Sequence, residues 1–170
     1  LLEVDGSDAD ALADLCRLKA AAGEHAAVAS LLVRRIDVEM TPEGRLALRR
    51  ELAALYAGPL ADQASATSAY EALLDEEPND MGAIEALEGI YERAQRWQDL
   101  QGLIERRLDL AETDRERIAG RVRLARLSEQ AFGRRTDAME QLRDVLSLDA
   151  HNDEALDELE RLMALEKQWD

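Results

Sequence analysis

The chain has 170 residues, a formal net charge of −16 and only 4% aromatic residues. The acidic balance argues against nucleic acid and anionic membranes as main partners, because both bind basic surfaces. The single cysteine, Cys16, excludes an intrachain disulfide, and with only two distant histidines it makes no recognisable metal site, so we expect neither metal nor cofactor.

The apolar residues recur three and four positions apart, the period of an α-helix. Ala, Leu, Glu and Arg dominate, and these residues favour helix over strand. In chain order, the pattern predicts nine helices over residues 8–22, 25–40, 42–57, 64–77, 80–95, 97–112, 114–131, 136–149 and 152–167. Start signals support these boundaries at Thr41-Pro42, Asn79-Asp80, Thr113 with Glu116, Thr136-Asp137 and Asn152-Asp153.

The sequence matches itself without a gap when it is shifted so that Trp97 falls on Trp169, which defines a repeat period of 72. In this register 23 of the 98 overlapping pairs are identical, against roughly a tenth expected by chance. A fixed period of this size is typical of helical repeat arrays, in which hairpins bury their apolar faces by stacking. We therefore expect one repeat domain over 1–170, a fragment of a longer array, with a partial unit 1–63, a full unit 64–135 and a partial unit 136–170.

Two segments within the period carry a recognisable motif. The first reads Ala66-x3-Tyr70-x2-Leu73-x4-Pro78, and the second reads Ile84-x2-Leu87-x3-Tyr91. This spacing resembles the tetratricopeptide repeat, although Ile84 stands where that family has tryptophan and Glu88 where it has a helix-packing glycine. The resemblance implies an all-α, right-handed superhelical solenoid of stacked antiparallel helical hairpins.

The resemblance also implies a binding surface, because the first helix of each tetratricopeptide hairpin lines the concave face of the superhelix. The side chains expected to project from that face include small residues that leave room for a peptide and one arginine per inner helix. Arginine binds carboxylates through two hydrogen bonds and is common at binding hot spots. The candidate peptide-binding residues are Arg17, Arg50, Ala54, Glu85, Gly89, Arg93, Arg126 and Arg161; Val122 is expected on the same face. The alternative is that these arginines pair with nearby Glu and Asp on a solvated surface.

No catalytic motif or phosphate-binding glycine loop occurs, and the histidines His25 and His151 occupy unrelated repeat positions. We expect packing or turn roles for both. Trp97 and Trp169 each follow a polar stretch, which favours an anchor for the turn over a ligand platform. Cys16 lies among leucines, which favours a buried packing role.

The sequence therefore predicts a non-catalytic protein–protein interaction scaffold that binds a peptide or helix of a partner in its concave groove. The alternatives are a structural spacer or self-assembly element and a regulatory repeat region of a larger protein. We expect a protein or peptide partner, no nucleic acid, no membrane insertion, and at most weak self-association through the repeat ends. A soluble protein of the cytoplasm or periplasm fits the absence of a targeting signal, and the sequence does not choose between those compartments.

Overall fold

The computed structural model describes residues 9–167, and every regular element in that range is an α-helix. Links of three to five residues connect the helices, whose observed boundaries lie within three residues of the predicted ones. The expectation of an all-α fold is confirmed. The described helices are α1 (Ala9–Ala21), α2 (His25–Val38), α3 (Pro42–Ala57), α4 (Gln63–Glu76), α5 (Met81–Arg93), α6 (Trp97–Asp109), α7 (Asp114–Gln130), α8 (Arg135–Leu148) and α9 (Asp153–Glu166).

Side-chain caps fix most of the predicted helix starts. Thr41 accepts a hydrogen bond from the backbone N–H three residues later, at 3.1 Å, and Asp80 and Asn152 do the same at 2.9 and 3.0 Å. At α7, Thr113 and Glu116 each accept from the other's backbone N–H, which satisfies two donors that the helix leaves open. The hydrogen bonds from Thr113 hold the pKa of the Glu116 carboxyl below its usual value.

The repeat period is visible in the helix starts. Helices α5 and α9 begin at Met81 and Asp153, one full period apart. The same interval separates Gln63, where α4 begins, from Arg135, where α8 begins. The prediction that Thr136 caps α8 is therefore wrong: the cap position is Arg134, without a side-chain hydrogen bond, and Thr136 lies in the first turn.

The turns repeat as well. Gly23 and Gln95 are one period apart and both have a positive φ, of 72° and 55°. Ala61 and Gly133 form a second such pair, at 50° and 67°. The left-handed conformation is strained for residues other than glycine. The repeat therefore keeps the same turn geometry even at Ala61 and Gln95, where the equivalent residue of the other turn is glycine.

Consecutive helices pack against each other in two series, α1 to α4 and α6 to α9. Because the links are short, the packed neighbours run antiparallel, as predicted for helical hairpins. The chain divides into two compact units between Ile90 and Tyr91, and α5 contains this division. The expectation of a single domain over 1–170 remains a prediction.

Each unit has its own core. In the first unit the buried cluster comprises Leu12, Cys16, Val28, Leu31, Leu32 and Leu48, which confirms the packing role of the cysteine. In the second unit it comprises Val122, Ala125, Ala138, Met139, Leu142, Val145, Ala155 and Leu162. These clusters are built from the residues that recur at helical spacing in the sequence, as expected for amphipathic helices that bury one face.

The positions that carry the repeat motif are mostly buried. Burial is complete or nearly so at Ala66, Leu73, Ile84, Leu87 and Tyr91. The position where the tetratricopeptide pattern has a glycine holds Glu88, whose side chain is only 3% exposed. Tyr70 is half-buried, and this burial, together with the charge of Asp80, raises the pKa of its hydroxyl.

Candidate functional site

Seven of the eight predicted peptide-binding residues are exposed on odd-numbered helices. Arg17 lies on α1, Arg50 and Ala54 on α3, Glu85 and Arg93 on α5, Arg126 on α7 and Arg161 on α9. Gly89, on α5, is half-buried. Exposure is compatible with a binding role for these residues, and that role stays a prediction.

Several of these arginines form ion pairs with acidic residues about thirty positions along the chain. In the first unit the Arg50 Nε lies 2.5 Å from a carboxylate oxygen of Asp80. In the second unit Arg126 pairs with Glu154, and Arg161 pairs with Glu129. The latter two pairs connect α7 with α9. In this structure Arg50, Arg126 and Arg161 therefore form ion pairs with carboxylates of the protein itself, as the alternative interpretation expected.

These contacts also shift carboxyl pKa values. Burial alone would raise the pKa of Asp80, but a hydrogen bond from the Ala83 backbone N–H and the guanidinium of Arg50 together hold it below its usual value. The hydrogen bond from Arg161 lowers the pKa of Glu158, and the charge of Arg126 adds to the effect. Both carboxyl groups are therefore ionised well below neutral pH.

A groove of about 750 Å³ runs along α7 in the second unit. Its floor is formed by the buried side chains of Leu100 and Ile104 from α6 and of Val122 and Leu127 from α7. The half-buried Trp97, the first residue of α6, contributes an aromatic surface. The groove therefore presents an apolar surface that a partner's side chains can cover.

Charged and polar groups from α7 and its neighbours also line this groove. Arg123 lies 3.4 Å from a carboxylate oxygen of Glu92, and Arg126 pairs with Glu154; all four residues line the groove. Arg115 lines it too, and its guanidinium forms neither an ion pair nor a hydrogen bond within residues 9–167. The groove thus combines an apolar floor with guanidinium groups, one of which has no carboxylate partner in the described structure.

Of the residues that line this groove, Arg126 was predicted to bind a peptide, whereas Trp97 was expected to anchor a turn and Arg115 and Arg123 were not predicted. The sequence analysis placed Val122 among the residues that project away from the core, and this was wrong: Val122 is 9% exposed and packs in the buried cluster of the second unit. The open face of α7 instead follows the spacing of Arg115, Ala119, Arg123, Arg126 and Gln130. Val122 and Arg123 are one residue apart, so the predicted position points about 100° around the helix axis from the one that lines the groove.

The described residues contain no group of three His, Cys, Asp or Glu side chains placed to hold a metal ion. None of the helices between Ala9 and Glu166 is both long enough and apolar enough to span a membrane. His25 is half-buried at the first position of α2, and His151 is exposed in the link before α9. Trp169 lies outside the described residues.

These features define an all-α protein built from repeated helical hairpins. No family model matches the sequence, and a comparison with curated proteins finds no match.

The fold is similar to that of MamA, a helical repeat protein of the tetratricopeptide type. One solved structure, the MamA RS-1 ArsTM double mutant, is 14% identical over 95% of this chain and 96% of its own, with a TM-score of 0.56. A second, MamA 41-end from Desulfovibrio magneticus RS-1, is 15% identical over 95% of this chain and 97% of its own, with a TM-score of 0.54. At this level of identity the likeness shows a shared tetratricopeptide-like fold and nothing further.

Proposed function

We propose that the chain is a non-catalytic protein-interaction scaffold and that the groove along α7 holds a peptide or helix of a partner protein. The observation that carries this proposal is the combination in one groove of an apolar floor, an aromatic ring at Trp97 and three arginines. Arginine and tryptophan are enriched among the residues that dominate binding energy at protein interfaces. Of the other predicted residues, Arg161 on α9 lies in the same unit and would extend this surface.

The charges suggest the chemistry of the bound segment. Exposed ion pairs such as Arg126–Glu154 contribute only about 0–1 kcal/mol to stability, because water solvates both groups well. Arg126 can therefore exchange Glu154 for a carboxylate on a ligand at small cost. The guanidinium of Arg115 has no carboxylate partner within the described residues, so it loses no ion pair when a ligand binds. A segment with apolar side chains flanked by Asp or Glu fits the groove best.

Most of the charged groups that line the groove are paired with each other. Its two carboxylates, those of Glu92 and Glu154, are paired with arginines.

The test uses short peptides selected against the whole chain from a random display library. Ala119 is exposed and lines the groove, so Ala119→Trp fills the space without disturbing the core. The matched control is Ala64→Trp, at an exposed position in the first turn of α4, far along the sequence from this groove.

Selected peptides should bind the native chain and Ala64→Trp equally and bind Ala119→Trp at least about tenfold more weakly, the loss of about 1.4 kcal/mol. Peptides that carry carboxylates should also lose affinity for Arg126→Glu. Equal binding to Ala119→Trp and to the native chain, or failure to select any peptide, would contradict the proposal.

A further inference from the structure

An apolar pocket, the α2 pocket, lies beside α2 in the first unit. It has a volume of about 230 Å³ and is walled by Val33 and Ile36 of α2, Leu52 of α3, and Ala69 and Ala72 of α4. Val33, which is 43% exposed, also lines an open cavity of about 560 Å³ that continues along α2 towards its N-terminal end. Pockets that enclose drug-sized ligands measure about 300–1,000 Å³. The α2 pocket is therefore suited to one aliphatic side chain of a longer segment that lies along α2.

The repeat shows that apolar residues are not required at this surface. One period later, Glu105 stands in place of Val33, Gln141 in place of Ala69 and Asp144 in place of Ala72. Glu105 on α6 and Asp144 on α8 are exposed although α9 follows both, so the neighbouring helices of the array do not cover these positions. Apolar patches that a fold leaves in contact with water are typical of interaction surfaces.

The arginine that lines the α2 pocket lacks the partners that its repeat equivalent has. Arg121, one period after Arg49, donates a hydrogen bond of 3.0 Å to the side-chain oxygen of Gln141 and forms an ion pair with Asp144. Arg49 pairs with Glu76 instead, because alanines hold the positions equivalent to Gln141 and Asp144. The second unit thus shows a carboxylate bound to this arginine at a place that the α2 pocket leaves open.

We propose that the α2 pocket binds a segment of a partner protein through one aliphatic side chain and one neighbouring carboxylate. The aliphatic group lies against Val33 and Leu52, and the carboxylate meets Arg49 as Asp144 meets Arg121. This site belongs to the first unit and is independent of the groove along α7.

The charges around the pocket favour an acidic partner residue. Arg49 and Glu76 are 31% and 43% exposed, and ion pairs that water reaches contribute little to stability. Arg49 can therefore exchange Glu76 for a ligand carboxylate, which a guanidinium binds through two hydrogen bonds. Asp37 also lines the pocket, but it is exposed, so water and salt screen its repulsion of the ligand.

The decisive variant copies the second unit into the first. Ala69→Gln/Ala72→Asp fills the pocket and gives Arg49 the two partners that Arg121 has. Ala72 is exposed and Ala69 is half-buried, and α8 carries the same two residues at the equivalent positions, so the change is compatible with the fold.

The matched control is Ala64→Gln/Ser68→Asp. It adds the same side chains and the same charge to α4, at exposed positions that do not line the pocket. Peptides are selected from a random display library against the full chain carrying Ala119→Trp, which fills the groove along α7. Because the target already carries this change, the result does not depend on that groove.

The selected peptides should combine Asp or Glu with Leu, Ile, Val or Met. They should bind the target chain and the matched control alike, and should bind the Ala69→Gln/Ala72→Asp variant at least about tenfold more weakly. Amide spectra of the isotope-labelled chain should shift at α2, α3 and α4.

A double-mutant cycle tests the contact with Arg49. Replacement of the acidic residue of the peptide by its amide and Arg49→Gln in the chain should each weaken binding by about tenfold. Both changes together should weaken it little further, because either one removes the same interaction.

The proposal would be overturned by failure to select a peptide, by equal binding to the Ala69→Gln/Ala72→Asp variant, or by additive effects in the cycle. Signal shifts confined to the second unit would overturn it too. Light scattering adds a last check: a mass that rises with concentration and returns to that of one chain in the Ala69→Gln/Ala72→Asp variant would make the pocket a contact between two copies, against the proposal.

Discussion

Equivalent leucines in α1 and α9 should differ sharply in their contribution to stability. Leu12 and Leu156 are two periods apart, occupy the same repeat position and lie on the first and last described helices. Leu12 is 0% exposed in a cluster with α2, whereas Leu156 is 44% exposed. Changing each to alanine therefore isolates what a covering helix adds.

The magnitudes follow from burial. Removing a fully buried leucine side chain costs the lost transfer free energy plus the cavity left behind, so Leu12→Ala should lower the free energy of unfolding by about 3 kcal/mol. At Leu156 roughly half of the side chain already meets water and no enclosed cavity forms. Leu156→Ala should therefore cost about 1 kcal/mol or less.

Urea unfolding followed by circular dichroism measures both free energies of unfolding. The slope of the unfolding free energy against urea concentration should be the same in the variants and the native chain, which shows that the unfolding reaction is unchanged. Leu18→Ala on α1 is the control for effects of alanine on helix propensity, because Leu18 is exposed. If Leu156→Ala cost as much as Leu12→Ala, the exposure of Leu156 in this structure would not describe the protein in solution.

Two further predictions concern the turns and the pH dependence. Gln95→Gly should stabilise the chain by about 0.5–1 kcal/mol, and Gly23→Gln should destabilise it by a similar amount. Both positions have a left-handed backbone conformation, which only glycine adopts without strain. Thermal or urea unfolding of the two variants should therefore give changes in unfolding free energy of opposite sign. The lowered pKa of Asp80 means that its contribution to stability is complete above the unfolded carboxyl value of about 4 and is lost as pH falls through the lower folded value. Unfolding free energy measured between neutral and strongly acidic pH should decline at the acidic end, and Asp80→Asn should lower it at neutral pH and reduce that decline; an unchanged profile in Asp80→Asn would contradict the assignment.

The helices could be predicted from the sequence because local signals and the period agree. Thr41 and Thr113, which occupy the same repeat position, both cap helices as expected. The failure at Thr136 is informative, because this residue is as good a cap as the other two. The turn before α8 repeats the turn before α4, including the left-handed residue at Gly133, and so starts the helix one residue earlier, at Arg135. The repeat geometry outweighed the local preference.

The groove was less predictable, because it depends on how far each helix is rotated about its axis. One residue changes direction by about 100°, so choosing Val122 in place of Arg123 exchanges a core position for an open one. Helical spacing backwards from Arg126 would have found Arg123 and Ala119, but only with the rotation known. The pairing of Arg126 with Glu154 depends on the distance between α7 and α9, which tertiary packing sets.

Equivalent repeat positions therefore hold similar residue types in different environments. The chain places an apolar residue at 12, 84 and 156, yet two of these side chains are shielded from water and the third is not. Burial of a large aliphatic side chain contributes about 1.5–3 kcal/mol, and Leu156, which is 44% exposed, makes only part of that contribution. The groove along α7 presents a different kind of surface, because its floor is already packed and its open face is charged. A ligand with carboxylates must exchange ion pairs there as well as cover apolar surface. Raising the salt concentration should therefore weaken the binding of carboxylate-bearing peptides to the groove more than that of uncharged apolar peptides, as titrations at low and high salt would measure.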